Sequence, residues 1–256
     1  MSEAINISVD GIDAAISEVR EVGYTIIPDF VDQNRVAQLS KLSEKLLQPI
    51  VAPGINGEKI TGLNIKNVLR VSRDIDDLVT DPRLLAVMTS ILVPDGSRWS
   101  INISGTGIKD AVPQEDIRAL HRDGSLYPVF IPGQPLVANS LLAIDAFSPE
   151  VGATTIVPYS HLWDKPVELD HETISVTMDP GSILIFNGNT WHGHSQNKMD
   201  RHRRTLNMLY CCDWLKPTHG YCSGIPENEV KTLPEALQTL LGVKTKSYGN
   251  YPAAPY

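Results

Sequence analysis

From residue 99 onward the chain is cut into short β-favouring runs by turn residues, and this punctuation restricts the fold more than any other feature. Runs at 99–103, 136–147, 155–157, 174–178, 183–186 and 205–211 are rich in Val, Ile, Thr and aromatic residues. They are separated by turn clusters such as Asp179-Pro180-Gly181-Ser182 and Asn187-Gly188-Asn189. Many short strands without intervening helices point to a sandwich or jelly roll, not to alternating βα units.

The first ninety-odd residues have a different texture. Ile12, Ile16, Val19 and Val22 recur at helical spacing and predict a first helix that Gly23 ends. Tyr24-Thr25-Ile26-Ile27-Pro28 reads as a short strand. Asp32 is placed to cap a second helix carrying Val36, Leu39, Leu42 and Leu46 and stopped near Pro49. Residues 51–66 are Gly-rich and aperiodic, and are expected to form a long loop. Asp81-Pro82 opens a third helix through Leu85, Val87 and Ile91, with proline where no helical amide is lost. A last helix is expected over 227–241. The organisation is therefore one domain over 1–256, mainly β with flanking α: helices at about 10–95, a β core at about 97–215, and a helical extension at about 226–242.

Charge and composition narrow the partners. Twenty-two basic against thirty acidic residues leave a net charge of −8, which disfavours nucleic acid or an anionic membrane as a partner. No apolar run approaches the length of a membrane span, and the N-terminus lacks the basic and apolar regions of a secretory signal. The three cysteines, Cys211, Cys212 and Cys222, make a poor disulfide framework and suit a reducing compartment. The cytoplasm is the expected location, and a monomer or homodimer the expected state.

Within this β-rich half sits His121-Arg122-Asp123, answered downstream by Trp191-His192-Gly193-His194 and Arg203. If 120–125 is a strand, His121 and Asp123 project from one face and Arg122 from the other. A distal histidine would complete a 2-His-1-carboxylate set, which leaves metal positions open for non-haem Fe(II) oxygen chemistry. His192 and His194 lie two residues apart on one face, and spacing does not choose between them. Two rival clusters are weaker. Asp170-His171-Glu172 lies in a polar stretch with nothing to exclude water. Cys211, Cys212, His219 and Cys222 lack the spacing that structural zinc prefers. Arg203 or Arg204, at the start of a following strand, can offer a planar fork to a carboxylate.

These pieces are similar to the phytanoyl-CoA dioxygenase-like family of Fe(II)/2-oxoglutarate oxygenases. The resemblance rests on residues 23–30 (GYTIIPDF), 120–123 (LHRD), 152–163 (GATTIVPYSHLW) and 191–197 (WHGHSQN). The family's Pro-Gly-Ser-His stands here as Pro158-Tyr159-Ser160-His161, a departure at the glycine. The tail at 210–215 and 233–242 resembles the branch that tailors secondary metabolites, including the fumitremorgin-type endoperoxygenases.

The resemblance implies a double-stranded β-helix, or jelly roll, with iron held by His121, Asp123 and His192. It implies Arg203 as the anchor for 2-oxoglutarate, O2 as the oxidant, and ascorbate as a reductant in vitro. Asp123 separates the chain from halogenating relatives, in which a small residue replaces the carboxylate. Thr155 and Asn139 are expected beside the cosubstrate. Asn102, Ser104 and His194 are expected beside the substrate, with the 51–66 and 105–116 segments lining or covering the pocket. The expected reaction is hydroxylation, desaturation or related C–H oxidation of a small organic molecule, such as a biosynthetic intermediate. Three alternatives stand beside it: an acyl-CoA hydroxylase of the same family, a cupin-like dioxygenase with no keto-acid, and a non-catalytic jelly-roll binding protein.

Overall fold

The computed structural model describes residues 9–53, 59–97, 99–111, 118–164, 171–218 and 225–243. Three layers account for the architecture: helices, a seven-stranded antiparallel sheet, and a four-stranded antiparallel sheet facing it.

The helical layer comes first. Helix α1 (Val9–Val22) ends where Gly23 takes φ 98°, a left-handed turn that suits glycine. Strand β1 (Tyr24–Ile27) follows, then α2 (Gln33–Leu46), whose Asp32 cap accepts from the Arg35 amide at 2.7 Å. A short α3 (Asp76–Val79) leads to α4 (Pro82–Leu92), capped by Asp81 with proline in its first turn.

The larger sheet runs β1-β9-β6-β11-β4-β3-β2, with β2 (Gln48–Pro53), β3 (Lys59–Lys66), β4 (Ile101–Ala111), β6 (Val137–Ala143), β9 (Ile183–Asn187) and β11 (Arg203–Cys212). The smaller sheet runs β5-β10-β7-β8, built from β5 (Arg118–His121), β10 (His192–His194), β7 (Thr154–Ile156) and β8 (Ile174–Ser175). Two facing antiparallel sheets of this kind make the jelly roll.

Period-two alternation builds both cores at once. On β9, Ile183 and Ile185 pack toward the helices with Val19, Leu39 and Met88, while Leu184 and Phe186 pack between the sheets with Phe147, Ile156 and Met178. On β11, Leu206, Met208 and Tyr210 join the helical side. The intervening Arg203, Thr205, Asn207 and Leu209 therefore line the space between the sheets. Strands buried on both faces read as nearly continuous apolar runs, which is the texture of 183–186.

Three expectations change. The 51–66 loop is instead a hairpin: β2 pairs with β3 from Gln48↔Asn64 to Pro53↔Lys59, with residues 54–58 outside those described. Its prolines, Pro49 and Pro53, lie on β2, which among the described residues pairs with β3 alone and so forms the sheet edge. Residues 105–111 likewise belong to strand β4, and 112–116 lie outside the described residues. The single last helix is divided into α5 (Glu227–Val230) and α6 (Glu235–Leu240). Pro234, which has no amide to donate and keeps the preceding residue out of the helical region, separates them. No helix among the described residues is long and apolar enough to cross a membrane.

Candidate metal centre

The His121–Asp123 pair is not built on one strand. Strand β5 stops at His121, and Asp123 opens a 3-10 turn (Asp123–Leu126). The expected strand over 120–125 is thus corrected: glycine at 124 lets the chain turn close against the neighbouring Asn187–Asn189 turn. The Gly124 amide donates to the Gly188 carbonyl at 2.7 Å. A Cβ on Gly124 would stand 2.4 Å from Asn189 Oδ1, and one on Gly188 would stand 2.3 Å from the Val137 carbonyl oxygen. Neither position has room for a side chain.

His192 enters from the adjacent strand. It is the register partner of His121 on β10, and the two rings lie 4.3 Å apart between centroids. Asp123 Oδ1 is 3.9 Å from His121 Nε2 and 3.9 Å from His192 Nε2. Taken together, one ligand atom from each of the three residues lies within 4.8 Å of the other two. Ligand–metal distances of about 2.0–2.2 Å fit inside that triangle after a small closure.

Two outer atoms of the set are already committed. His192 Nδ1 lies 3.0 Å from the Thr190 carbonyl, so its N–H donates there and Nε2 keeps its lone pair for an ion. Asn139 Nδ2 donates to Asp123 Oδ2 at 2.6 Å, and Asn207 Nδ2 donates to Asn139 Oδ1. This chain leaves Oδ1 as the oxygen that faces both imidazoles. Burial pushes the Asp123 carboxyl up. The charges of His192, His121 and Lys109 and the Asn139 hydrogen bond outweigh it and hold the group below its usual range.

Geometry separates the two histidines. Among the described residues the triad that could hold an ion contains His192 and not His194. His194 sits at the far end of β10, half-buried, with Nδ1 3.0 Å from the Ser195 carbonyl. Of the rival clusters, His219, Cys222 and Asp170 lie outside the described residues. Cys211 and Cys212 are consecutive on β11 and so face opposite sides. Burial pushes their thiols to about 12 and about 11, which keeps them protonated and poor ligands.

The two arginines separate by strand parity. Arg204 points outward, where Asp145 accepts at 2.8 and 2.9 Å and Ser43 at 3.0 Å, pinning α2 to the sheet. Arg203 points inward and is 5 % exposed, with its guanidinium 4.6 Å from the Phe147 ring centre and donating to the Gly152 carbonyl.

The remaining expected residues are spread more widely. Thr155 is half-buried at the centre of β7, in register with Gly193 beside His192. Asn139 is engaged with Asp123 itself. Asn102 donates to the Asp213 carbonyl at 3.1 Å, and Ser104 Oγ lies 3.1 Å from Thr218 Oγ1. Both are thus tied to the 213–218 segment.

Sequence reasoning missed Lys109, Asn207 and the Asn187–Thr190 turn. Lys109 and Asn207 carry the period-two pattern of their strands, and that pattern was the available signal. The turn reads only as a turn, because its bonds to distant segments leave no mark in the sequence.

Comparison with known proteins agrees with this geometry. The family profile described as Phytanoyl-CoA dioxygenase (PhyH) matches residues 19–205. Dioxygenase trt7 of Aspergillus terreus is 28% identical over 184 residues, 69% of this chain and 63% of that protein, so the match spans under two thirds of that relative. Dioxygenase aneA of Aspergillus aculeatus is 26% identical over 250 residues, 91% of this chain and 83% of the relative. Among solved structures, the epimerase SnoN in complex with Fe3+, alpha ketoglutarate and nogalamycin RO superposes with a TM-score of 0.67 at 18% identity, covering 86% of this chain and 92% of that one. The last is a likeness of fold. The profile match extends from α1 through the metal-centre residues to the start of β11, and the chain belongs to the phytanoyl-CoA dioxygenase (PhyH) family.

Proposed function

We propose that the protein is an Fe(II)- and 2-oxoglutarate-dependent dioxygenase that oxidises a C–H bond of a small organic molecule, a natural-product intermediate being the class its relatives favour. His121, Asp123 and His192 hold the metal, and Arg203 anchors the cosubstrate. The observation that carries this reading is the convergence of His121 Nε2, His192 Nε2 and Asp123 Oδ1, with His192 Nδ1 and Asp123 Oδ2 already bonded elsewhere. Two imidazoles and one carboxylate fit a ferrous ion and leave positions for small ligands. An iron held there would supply the oxygen chemistry, with 2-oxoglutarate as the two-electron reductant.

The chain's own residues supply positioning. Thr190 fixes the His192 tautomer, and the Asn207–Asn139 chain fixes the carboxylate. Arg203, held flat by Phe147 in a nearly dry setting, presents its fork to the far carboxylate of the cosubstrate. Water exclusion strengthens that ion pair. Leu126, Val129 and Ile131, exposed at 55%, 53% and 45%, follow directly on the Asp123 turn and offer an apolar rim suited to a carbon skeleton.

The test is anaerobic addition of Fe(II) and 2-oxoglutarate followed by oxygen. Visible charge-transfer absorption before oxygen and succinate after it support the reading. Metal uptake without either signal would exclude it.

A further inference from the structure

Residues 124–131 leave the Asp123 turn and come back to it, and one buried amide lies at both ends. Asn189 is 3% exposed and sits in the turn between β9 and β10. Its Oδ1 lies against Gly124, 2.4 Å from where a Cβ would stand. Its Nδ2 donates to the Ile131 carbonyl at 3.1 Å. A short surface segment whose two ends meet in this way is an Ω-type loop. This one starts directly after a carboxylate of the metal centre and carries Leu126, Val129 and Ile131 of the apolar rim.

The turn that bears Asn189 is itself fixed. Asn187 accepts at Oδ1 from the Asn189 amide at 2.9 Å, and at its carbonyl from the Thr190 amide at 2.8 Å. The Asn187 amide and the Thr190 hydroxyl both donate to the Gly23 carbonyl at 2.9 Å, and the Gly188 amide donates to the Val137 carbonyl at 2.9 Å. The anchor is therefore joined to the end of α1 and to β6 before the chain enters β10 at His192. Beyond its base the loop is tied by Tyr127 Oη, which donates to the Lys216 carbonyl at 2.8 Å, and by Arg122, 4.1 Å over the Phe130 ring.

The two contacts of Asn189 act on different things. Gly124 sets where the chain turns after Asp123; Ile131 sets where the rim ends. Both are close contacts of one short, buried side chain with few rotamers to choose from. A displacement at one end is passed to the other, because a buried amide donor that loses its acceptor is disfavoured.

We propose that Asn189 is a positioning residue that couples the metal centre to the apolar rim: it holds both ends of the 124–131 loop, so that filling the metal site orders the rim. This rests on the metal-centre reading and is independent of the cosubstrate. Coupling between two sites is reciprocal, so a substrate that orders the rim tightens the metal by the same factor.

The test is hydrogen–deuterium exchange over 124–134 with and without saturating Co(II), with Co(II) affinity titrated on the same samples. In the parent, Co(II) is expected to slow exchange over 125–131 at least about tenfold. Asn189→Ala is expected to bind Co(II) through the same residues, with that protection reduced to under about threefold. Asn189→Asp keeps the shape but sets an acceptor against the Ile131 carbonyl, and should lose the protection equally. Gly124→Ala drives a Cβ into Asn189 Oδ1 and is expected to weaken Co(II) at least about tenfold. Adding Asn189→Ala to Gly124→Ala vacates that space and should recover most of the loss. Protection undiminished in either Asn189 variant, no protection in the parent, or a double variant no better than Gly124→Ala alone overturns the coupling and leaves the metal reading standing. A parent that takes up no Co(II) overturns the metal reading, and the coupling with it.

Discussion

Replacing Asn139 with alanine removes the donor that holds the outer oxygen of Asp123 and, in the same stroke, the acceptor of Asn207. The amide has one orientation that satisfies both neighbours: Nδ2 toward the carboxylate and Oδ1 toward Asn207 Nδ2. Asn139 is 6% exposed and Asn207 9%, so solvent compensates little. A hydrogen bond to a charged group contributes about 1.5–3 kcal/mol, and a buried donor left without its acceptor costs about 1–3 kcal/mol. Apo-protein stability should fall by about 2–3 kcal/mol in denaturant titration. Metal affinity should fall further, because an unrestrained carboxylate must be ordered when the ion binds; loss of such a supporting bond typically costs about 10–100-fold. Anaerobic Co(II) titration reads this directly. Asn207→Ala leaves the bond to Asp123 and should weaken the metal only several-fold. If Asn139→Ala binds Co(II) within twofold of the parent, or if Asn207→Ala is the more damaging of the two, the orienting chain is not what holds the carboxylate.

Other consequences are equally open to measurement. Arg203→Lys keeps the charge but loses the planar fork, and should raise the KM for 2-oxoglutarate at least about tenfold while Co(II) affinity stays near the parent; an unchanged KM would place the cosubstrate elsewhere. Asp76 is lifted from 3.8 to about 6, by burial first and then by Asp77, Glu229 and Asp74, with Arg73 opposing. Its folded value lies above its unfolded value, so its favourable contribution is complete below about pH 3.8 and is lost as pH rises through about 6. Asp76→Asn should therefore stabilise the protein by about 1–2 kcal/mol at pH 7 and flatten its profile between pH 4 and 6; a variant less stable at pH 7 contradicts this. Tyr159 holds φ 63° with half its surface exposed. Tyr159→Gly should raise stability by about 0.5–1 kcal/mol in thermal or denaturant melts, since a left-handed residue with a Cβ is strained; a loss would mean that the ring's contacts outweigh the strain.

How legible this molecule is depends on the range of the interaction concerned. Helices α1, α2 and α4 are written in local patterns, with Asp32, Asp81-Pro82 and Gly23 acting within a few residues, and their limits follow closely. The strand runs are legible for the same reason: each face of β9 is set by alternate residues. The hairpin of β2 and β3 is not, because Pro49, Pro53, Gly62 and its polar residues become strand only by pairing with one another and, along Leu63↔Asp110 to Lys66↔Gly107, with β4, contacts invisible to local reading. One helix is expected over 227–241, and Pro234 marks the break that divides it into α5 and α6.

At the site, residue type pointed to His121 and Asp123, while the expected mechanism of their convergence was wrong. A shared strand face does not bring them together; a turn seated on Gly188 does. Spacing leaves His192 and His194 open, the family resemblance points to His192, and the β10·β5 register sets His192 opposite His121. Arg203 and Arg204 differ only in which way each faces, and the alternation of β11 assigns one to the space between the sheets, against Phe147, and the other to Asp145. Lys109 carries no motif of its own in the sequence, and its neighbour Asp110 is buried against His202 and the Arg203 amide.

The most direct trial of the metal assignment is X-ray absorption at the Co K-edge on the Co(II)-loaded protein, comparing the parent with His192→Ala and His194→Ala. Two imidazole scatterers in the parent and in His194→Ala, with one in His192→Ala, are the expected result. Two imidazoles persisting in His192→Ala, with one lost in His194→Ala, would contradict the account at its root.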